Sequence, residues 1–220
     1  MAFQPMPLSR RPLPFDHPEC VFELKYDGFR SLAVIQNGRT QLISRNGNGC
    51  NSFADLCRGL TLPIAGKTML DGEIVCLDKR GRPQFRDLLF HRGEPCFFGF
   101  DLLMADGKDL RSEKLTDRKQ ELRRLLKAPA SRMRYADHVE QHGTALFQRI
   151  CEMDLEGIVA KHSVAPYTTE RTTITNFRIQ NITCRTWCCG QSFCEVCGDY
   201  HVTHDCVRTP VQNERSPYPI

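Results

Sequence analysis

Eight consecutive residues, Glu23-Leu24-Lys25-Tyr26-Asp27-Gly28-Phe29-Arg30, set a lysine two positions before an aspartate and five before an arginine. Such a lysine can serve as a nucleophile only if its amine sheds a proton, because an unperturbed lysine titrates near ~10.4. Burial and nearby cations both disfavour the ammonium form, and Arg30, a second arginine or a bound metal could supply that field. Four further segments set charge into apolar or turn surroundings. Ser44-Arg45-Asn46-Gly47 carries an arginine where a loop leaves a strand, and Leu70-Asp71-Gly72-Glu73-Ile74-Val75 carries a glutamate inside one. An unpaired buried carboxylate is costly, so Glu73 needs a partner, a metal or a ligand hydroxyl. Phe97-Phe98-Gly99-Phe100-Asp101-Leu102-Leu103 pairs an aromatic with an acid, and Leu155-Glu156-Gly157-Ile158-Val159-Ala160-Lys161 starts an apolar strand on a carboxylate and ends it on a lysine. Each also has a bland reading: a lysine at a surface turn, a salt-bridged glutamate, Phe100 in the core, Arg45 in a plain turn.

A different chemistry is offered near the end of the chain. Cys194, Cys197, His201 and Cys206 follow the spacing Cys-x2-Cys-x3-His-x4-Cys, four soft or borderline ligands suited to tetrahedral zinc. His204 could replace His201, and the alternative is a set of free thiols. Cys184, Cys188 and Cys189 show no partner pattern. The other cysteines, at 20, 50, 57, 76, 96 and 151, lie mostly in apolar stretches and read as buried thiols.

The elements that must hold these residues follow from apolar periodicity. Cys20 to Leu24 is strand-like, leaving Lys25 at a strand end above the Asp27-Gly28 turn. Ser31 to Ile35 and Thr40 to Ser44 flank Asn37-Gly38, the dipeptide favoured in two-residue hairpins. A short helix is expected after Asn51-Ser52, whose side chains suit an N-cap. Thr68 to Leu77, Cys96 to Met104 and Gly157 to Lys161 read as strands. Thr116 to Lys127 and Gly143 to Met153 read as amphipathic helices, the charges of the first forming a solvated face. Hairpins mixed with helices predict an α+β fold of antiparallel sheets with flanking helices. After residue 167 the pattern fails, Pro210 to Ile220 looks unstructured, and the expected division is 1–183 and 184–220.

With 220 residues, 40% hydrophobic and 25% charged, the chain can bury a substantial core. A net charge of +4 permits nucleic-acid binding without demonstrating it. No apolar run approaches the roughly 20 residues of a membrane span, and the proline-rich start lacks a signal-peptide core. A soluble, monomeric, intracellular protein, cytoplasmic or nuclear and without membrane attachment, is expected.

Taken in order, Lys-x-Asp-Gly-x-Arg, Ser-Arg-x-Gly, Asp-Gly-Glu, Phe-Asp-Leu-Leu and Glu-Gly-Ile-Val-x-Lys resemble the covalent nucleotidyltransferase superfamily, and within it the ATP-dependent DNA ligases of bacterial type. The resemblance covers about residues 8 to 181. It implies a ligase adenylation domain in which Lys25 attacks the α-phosphorus of ATP and becomes lysyl-AMP. It further implies that Glu23 contacts the adenine edge, that Arg30 and Arg45 hold ribose and phosphates, that Glu73 binds ribose and that Phe100 stacks on adenine. Glu156, with Glu73, would support Mg²⁺, and Lys161 would lie near the phosphates. Phe177-Arg178-Ile179-Gln180-Asn181 is the nearest match to the family's last motif, with Arg178 as phosphate donor and Gln180 where a second basic residue is usual. The implied partner is nicked DNA. Larger relatives continue into an oligonucleotide-binding barrel, for which the roughly 40 remaining residues are too few. A minimal ligase with a borrowed clamp and a truncated one both fit, as do an RNA ligase, a guanylyl-transferring capping enzyme, and an impaired ligase remnant. The Cys-rich tail resembles the zinc knuckles of retroelement nucleocapsid-type proteins, which implies zinc and single-stranded nucleic acid.

Overall fold

Asn37 and Gly38 take left-handed φ values of 52° and 70°, the backbone a two-residue hairpin needs to match strand twist. They join two strands of a computed structural model that describes residues 5–62, 64–127, 132–169 and 176–180. In chain order the strands are β1 (Ser9–Arg10), β2 (Cys20–Leu24), β3 (Phe29–Gln36), β4 (Arg39–Ser44), β5 (Thr68–Cys76) and β6 (Pro95–Ala105). There follow β7 (Lys108–Asp109), β8 (Met133–Tyr135), β9 (His138–Glu140), β10 (Gly157–His162) and β11 (Asn176–Gln180). The helices are α1 (Ala54–Gly59), α2 (Phe85–Leu89), α3 (Leu115–Leu125) and α4 (Gly143–Glu152).

The result is α+β, with two sheets. One runs β1-β11-β10-β2-β9, the other β4-β3-β5-β6-β7 with β8 beside β6. Pairing is antiparallel except for β1 with β11 and β6 with β8, which are parallel. Leu122 of α3 and Leu126, just past its end, pack with Leu70, Ile74, Phe97 and Leu102 of the second sheet. Ile150 of α4 packs with Phe22, Ile158 and Ile179 of the first. These are the stripes that helical periodicity picked out, buried on the side that faces a sheet.

Three expectations need correction. Neither Asn51 nor Ser52 caps a helix: Asn51 opens a single 3₁₀ turn, α1 starts after Phe53, and no side chain caps either. The charges of α3 are not all solvated, since Arg118 and Lys119 are 2% and 1% exposed. The pattern also does not end at residue 167, because β11 pairs with β10 from Gly157↔Gln180 to Lys161↔Asn176. The chain divides into Met1–Cys184 and Arg185–Ile220. The candidate zinc ligands Cys194, Cys197, His201 and Cys206 and the tail's nucleic-acid site lie outside the described residues. No helix among the described residues is long and apolar enough to cross a membrane.

Candidate functional site

Lys25 sits where β2 ends, its backbone N–H donating to the Gly157 carbonyl at 2.9 Å. That bond ties the end of β2 to the start of β10 and brings Glu156 against the amine: Lys25 Nζ donates to Glu156 Oε1. The lysine side chain is 20% exposed and Glu156 7%, so the amine faces a cavity while its partner is buried. Behind them the Asp27-Gly28 turn crosses to the second sheet. A Cβ on Gly28 would overlap the Ile74 carbonyl of β5, so only glycine lets the chain pass this close.

The cavity, counted with the open space at its mouth, takes in about 910 Å³. Glu23, Lys25, Arg30, Glu73, Phe100 and Lys161 all line it. Residues predicted from four separate segments therefore converge. Three do not line the wall, and of these Glu156 is joined to it through Lys25. Arg45 is exposed in the turn after β4. Arg178 stands in β11 opposite Val159; Val159 lines the cavity, and directly opposed residues share a sheet face, so Arg178 lies on the cavity side one strand away. Its Nε is buried without a hydrogen-bond partner among the described residues.

The charges are arranged in pairs and triads that the sequence did not announce. Glu23 is buried between two ammonium groups, Lys119 Nζ at 2.6 Å and Lys161 Nζ at 2.7 Å. Burial opposes its ionisation, but Lys119 and Lys161 outweigh that and hold its carboxyl below the usual range. Lys119 also donates to the carbonyls of Phe100 (3.3 Å) and Ala136 (3.4 Å). Burial lowers the Lys161 ammonium, with Glu23 acting against the shift. Arg30 is gripped by the protein itself. Its Nε and Nη2 meet the two oxygens of fully buried Asp71 at 3.2 and 2.8 Å, and its Nη1 donates to the Met6 carbonyl at 3.0 Å. Tyr167 adds a hydroxyl donor to Asp71 at 2.8 Å. Arg118 forms the same kind of fork on Asp101, at 2.7 and 2.9 Å. The Lys161 and Arg30 cations lie 4.3 and 5.3 Å from the Phe100 ring centroid.

Three carboxyl groups near Lys25 are buried with little or no compensating pairing. Glu73 makes no ion pair or hydrogen bond with a described residue, and burial pushes it up to about 8 despite Lys25 and Arg30. Asp27 is raised to about 6 by burial and by the Glu156 charge. Glu156 Oε2 is buried and unpartnered. No group of three or more His, Cys, Asp or Glu side chains among the described residues is disposed to hold a metal alone. Mg²⁺, however, commonly takes one or two carboxylates and completes its shell with water and substrate phosphates. Glu156 with Glu73 fits that mode.

Comparison with known proteins agrees with this geometry. The ATP dependent DNA ligase domain matches residues 13–175. The multifunctional non-homologous end joining protein LigD of Pseudomonas aeruginosa is 32% identical over 163 residues, 70% of this chain and 19% of that protein. The SPbeta prophage-derived DNA ligase-like protein LigB of Bacillus subtilis is 30% identical over 176 residues, 76% of this chain and 63% of that one. The chain thus spans from about a fifth to under two thirds of these curated relatives. Among solved structures, the ligase domain of M. tuberculosis LigD superposes with a TM-score of 0.70 at 26% identity, covering 80% of this chain and 58% of that one.

Proposed function

Because the chain belongs to the ATP-dependent DNA ligase domain family, we propose that its cavity carries out lysine nucleotidyl transfer as the first step of DNA nick joining. The observation that carries this reading is Lys25 at the mouth of a cavity, held by Glu156 and ringed by Arg30, Glu73, Phe100 and Lys161. Lys25 Nζ attacks the α-phosphorus of ATP. A nitrogen–phosphorus bond forms as the bond to the bridging oxygen breaks, pyrophosphate leaves, and the amine's proton passes to Glu156. Phe100 offers the base an aromatic face, Glu73 accepts from the ribose, and Lys161 and Arg30 oppose the phosphate charge. Glu156 and Glu73 are the residues that would hold Mg²⁺, which supplies further charge neutralisation when bound.

Lysyl-AMP then passes its AMP to a DNA 5′-phosphate, and the neighbouring 3′-hydroxyl displaces AMP to close the nick. The end-joining names of the relatives favour a place in repair or recombination inside the cell. The tail spacing supports a separate zinc site at Cys194, Cys197, His201 and Cys206 that contacts single-stranded nucleic acid. The deciding experiment incubates the chain with Mg²⁺ and ATP or GTP and locates the adduct by mass spectrometry. AMP on Lys25, absent from Lys25→Ala, is expected. An unmodified wild-type chain refutes the reading, and an adduct with GTP alone transfers it to the capping class.

A further inference from the structure

Between β5 and β6 the chain leaves the second sheet and returns to almost the same point. Cys76 stands opposite Pro95, and Gly93 lies so close to the Cys76 thiol that a Cβ there would overlap it. Residues 77–92 are therefore one projection. Its first half is a tight turn organised by Asp78, whose Oδ1 accepts the backbone N–H groups of Arg80 at 2.8 Å and Arg82 at 2.9 Å. Gly81 completes it at φ 77°. The one carboxylate in the turn is bonded to these backbone groups and to the Gln84 amide at 3.4 Å; its charge offsets Arg80 and Arg82 in part, but Lys79, Arg80 and Arg82 make no ion pair with a described residue.

The second half is α2 and its exit. Leu88 is buried in the core, while Phe90 is 53% exposed with the Arg92 guanidinium 5.1 Å from its ring centroid. Four exposed arginines elsewhere, Arg58, Arg111, Arg124 and Arg149, each hold a nearby carboxylate. Clustered like charges left unpaired destabilise a compact chain by self-repulsion, which a polyanion would relieve. An exposed aromatic among them adds an apolar contact for a sugar or base face.

The projection is also rooted beside the site. Phe85 packs on Phe29 with ring centroids 5.3 Å apart, and Phe29 lies between Gly28 and Arg30. Along the strand, Lys79 is at most about 20 Å past Glu73, at ~3.3 Å per residue, which is within reach of phosphates a few base pairs away.

We propose that the 77–92 projection grips the sugar–phosphate backbone of duplex DNA beside the nick, through Lys79, Arg80, Arg82 and Arg92 with Phe90 against the groove. The identity of the polyanion rests on the ligase reading above. The test compares the full wild-type chain with a K79A/R80A/R92A variant, measuring lysyl-AMP formation without DNA and binding of a labelled nicked duplex by fluorescence anisotropy. Lysyl-AMP forms at the wild-type rate in the variant, which also certifies its fold, while DNA binding weakens. Each lost phosphate contact removes ~0.9 from the log–log salt slope, about 3.5-fold between roughly 50 and 200 mM salt, so three contacts make the salt effect about 40-fold smaller. A charge-retaining K79R/R92K variant binds like wild type. Unchanged affinity and slope in the triple variant overturn the proposal, as does an equal loss on R123A/R124A at the exposed face of α3. A wild-type chain that forms no lysyl-AMP but loses DNA binding with the triple variant sinks the ligase reading and leaves the grip standing; melting temperature then reports the fold.

Discussion

Replacing Lys119 by methionine keeps most of the side-chain volume and removes one ammonium from a fully buried triad. Three acceptors lose a donor: Glu23 Oε1 and the carbonyls of Phe100 and Ala136. Removing one member of a buried ion pair costs ~3–5 kcal/mol because the other charge is stranded. Here Glu23 keeps Lys161 at 2.7 Å, so the lower end applies and about 3 kcal/mol is expected. At ~2–4 °C per kcal/mol for a domain of this size, the melting temperature should fall by about 6–12 °C. The pH dependence separates charge from packing. Glu23 has its folded pKa held below the unfolded value of ~4.3. Its contribution is therefore present above ~4.3 and lost as pH falls through the folded value. The gap between wild type and Lys119→Met should be full near neutrality and shrink below about pH 4, where Glu23 becomes neutral in both. Urea denaturation across that range checks it. A cost under about 1 kcal/mol, or one that does not change with pH, would show that Lys119 acts through packing alone.

Glu73 has the opposite linkage. Its folded pKa of about 8 lies above the unfolded ~4.3, so the free protein loses stability as pH rises between the two, at up to ~1.4 kcal/mol per unit. Glu73→Gln should remove that slope and be increasingly more stable than wild type up to about pH 8; parallel melting curves across the range would contradict the burial that raises Glu73. Gly28→Ala drives a methyl into the Ile74 carbonyl. It should cost about 1–3 kcal/mol in thermal unfolding and displace the turn after Lys25, slowing lysyl-AMP formation about 5- to 150-fold if the barrier rises by the same energy. A wild-type rate would mean the turn can slide away from β5.

Much of this architecture was readable before the structure. The Asn37-Gly38 turn announces its hairpin because positive φ at both positions is a local demand. Strands β5, β6 and β10 announce themselves as apolar runs, and Glu73, Phe100 and Lys161 within them are cavity residues. Lys119 and Arg118 were invisible for a physical reason. A periodicity argument places every charge on the outer face, and the partner that buries Lys119 is Glu23, 96 residues earlier. Asp71 was passed over beside Glu73, although it is the acid that fixes Arg30. Strand β11 hides because its start follows a threonine-rich polar run and its place is set by pairing with β10 rather than by its own pattern. Arg45 fits a motif by spacing, yet it stands exposed in a turn after β4 and does not line the cavity.

The octet from Glu23 to Arg30 begins in one sheet and ends in the other: β2 contributes Glu23, β3 contributes Arg30, and Lys25 rides on the segment between them. Glu156 and Lys161 come with the first sheet, Glu73 and Phe100 with the second. Neither half contains a site. On the proposed reading the lysine becomes competent only when two separately cored layers have come together across a turn of a few residues, so labelling of Lys25 by nucleotide would report their docking during folding. A fragment carrying either sheet could be well folded and still chemically silent.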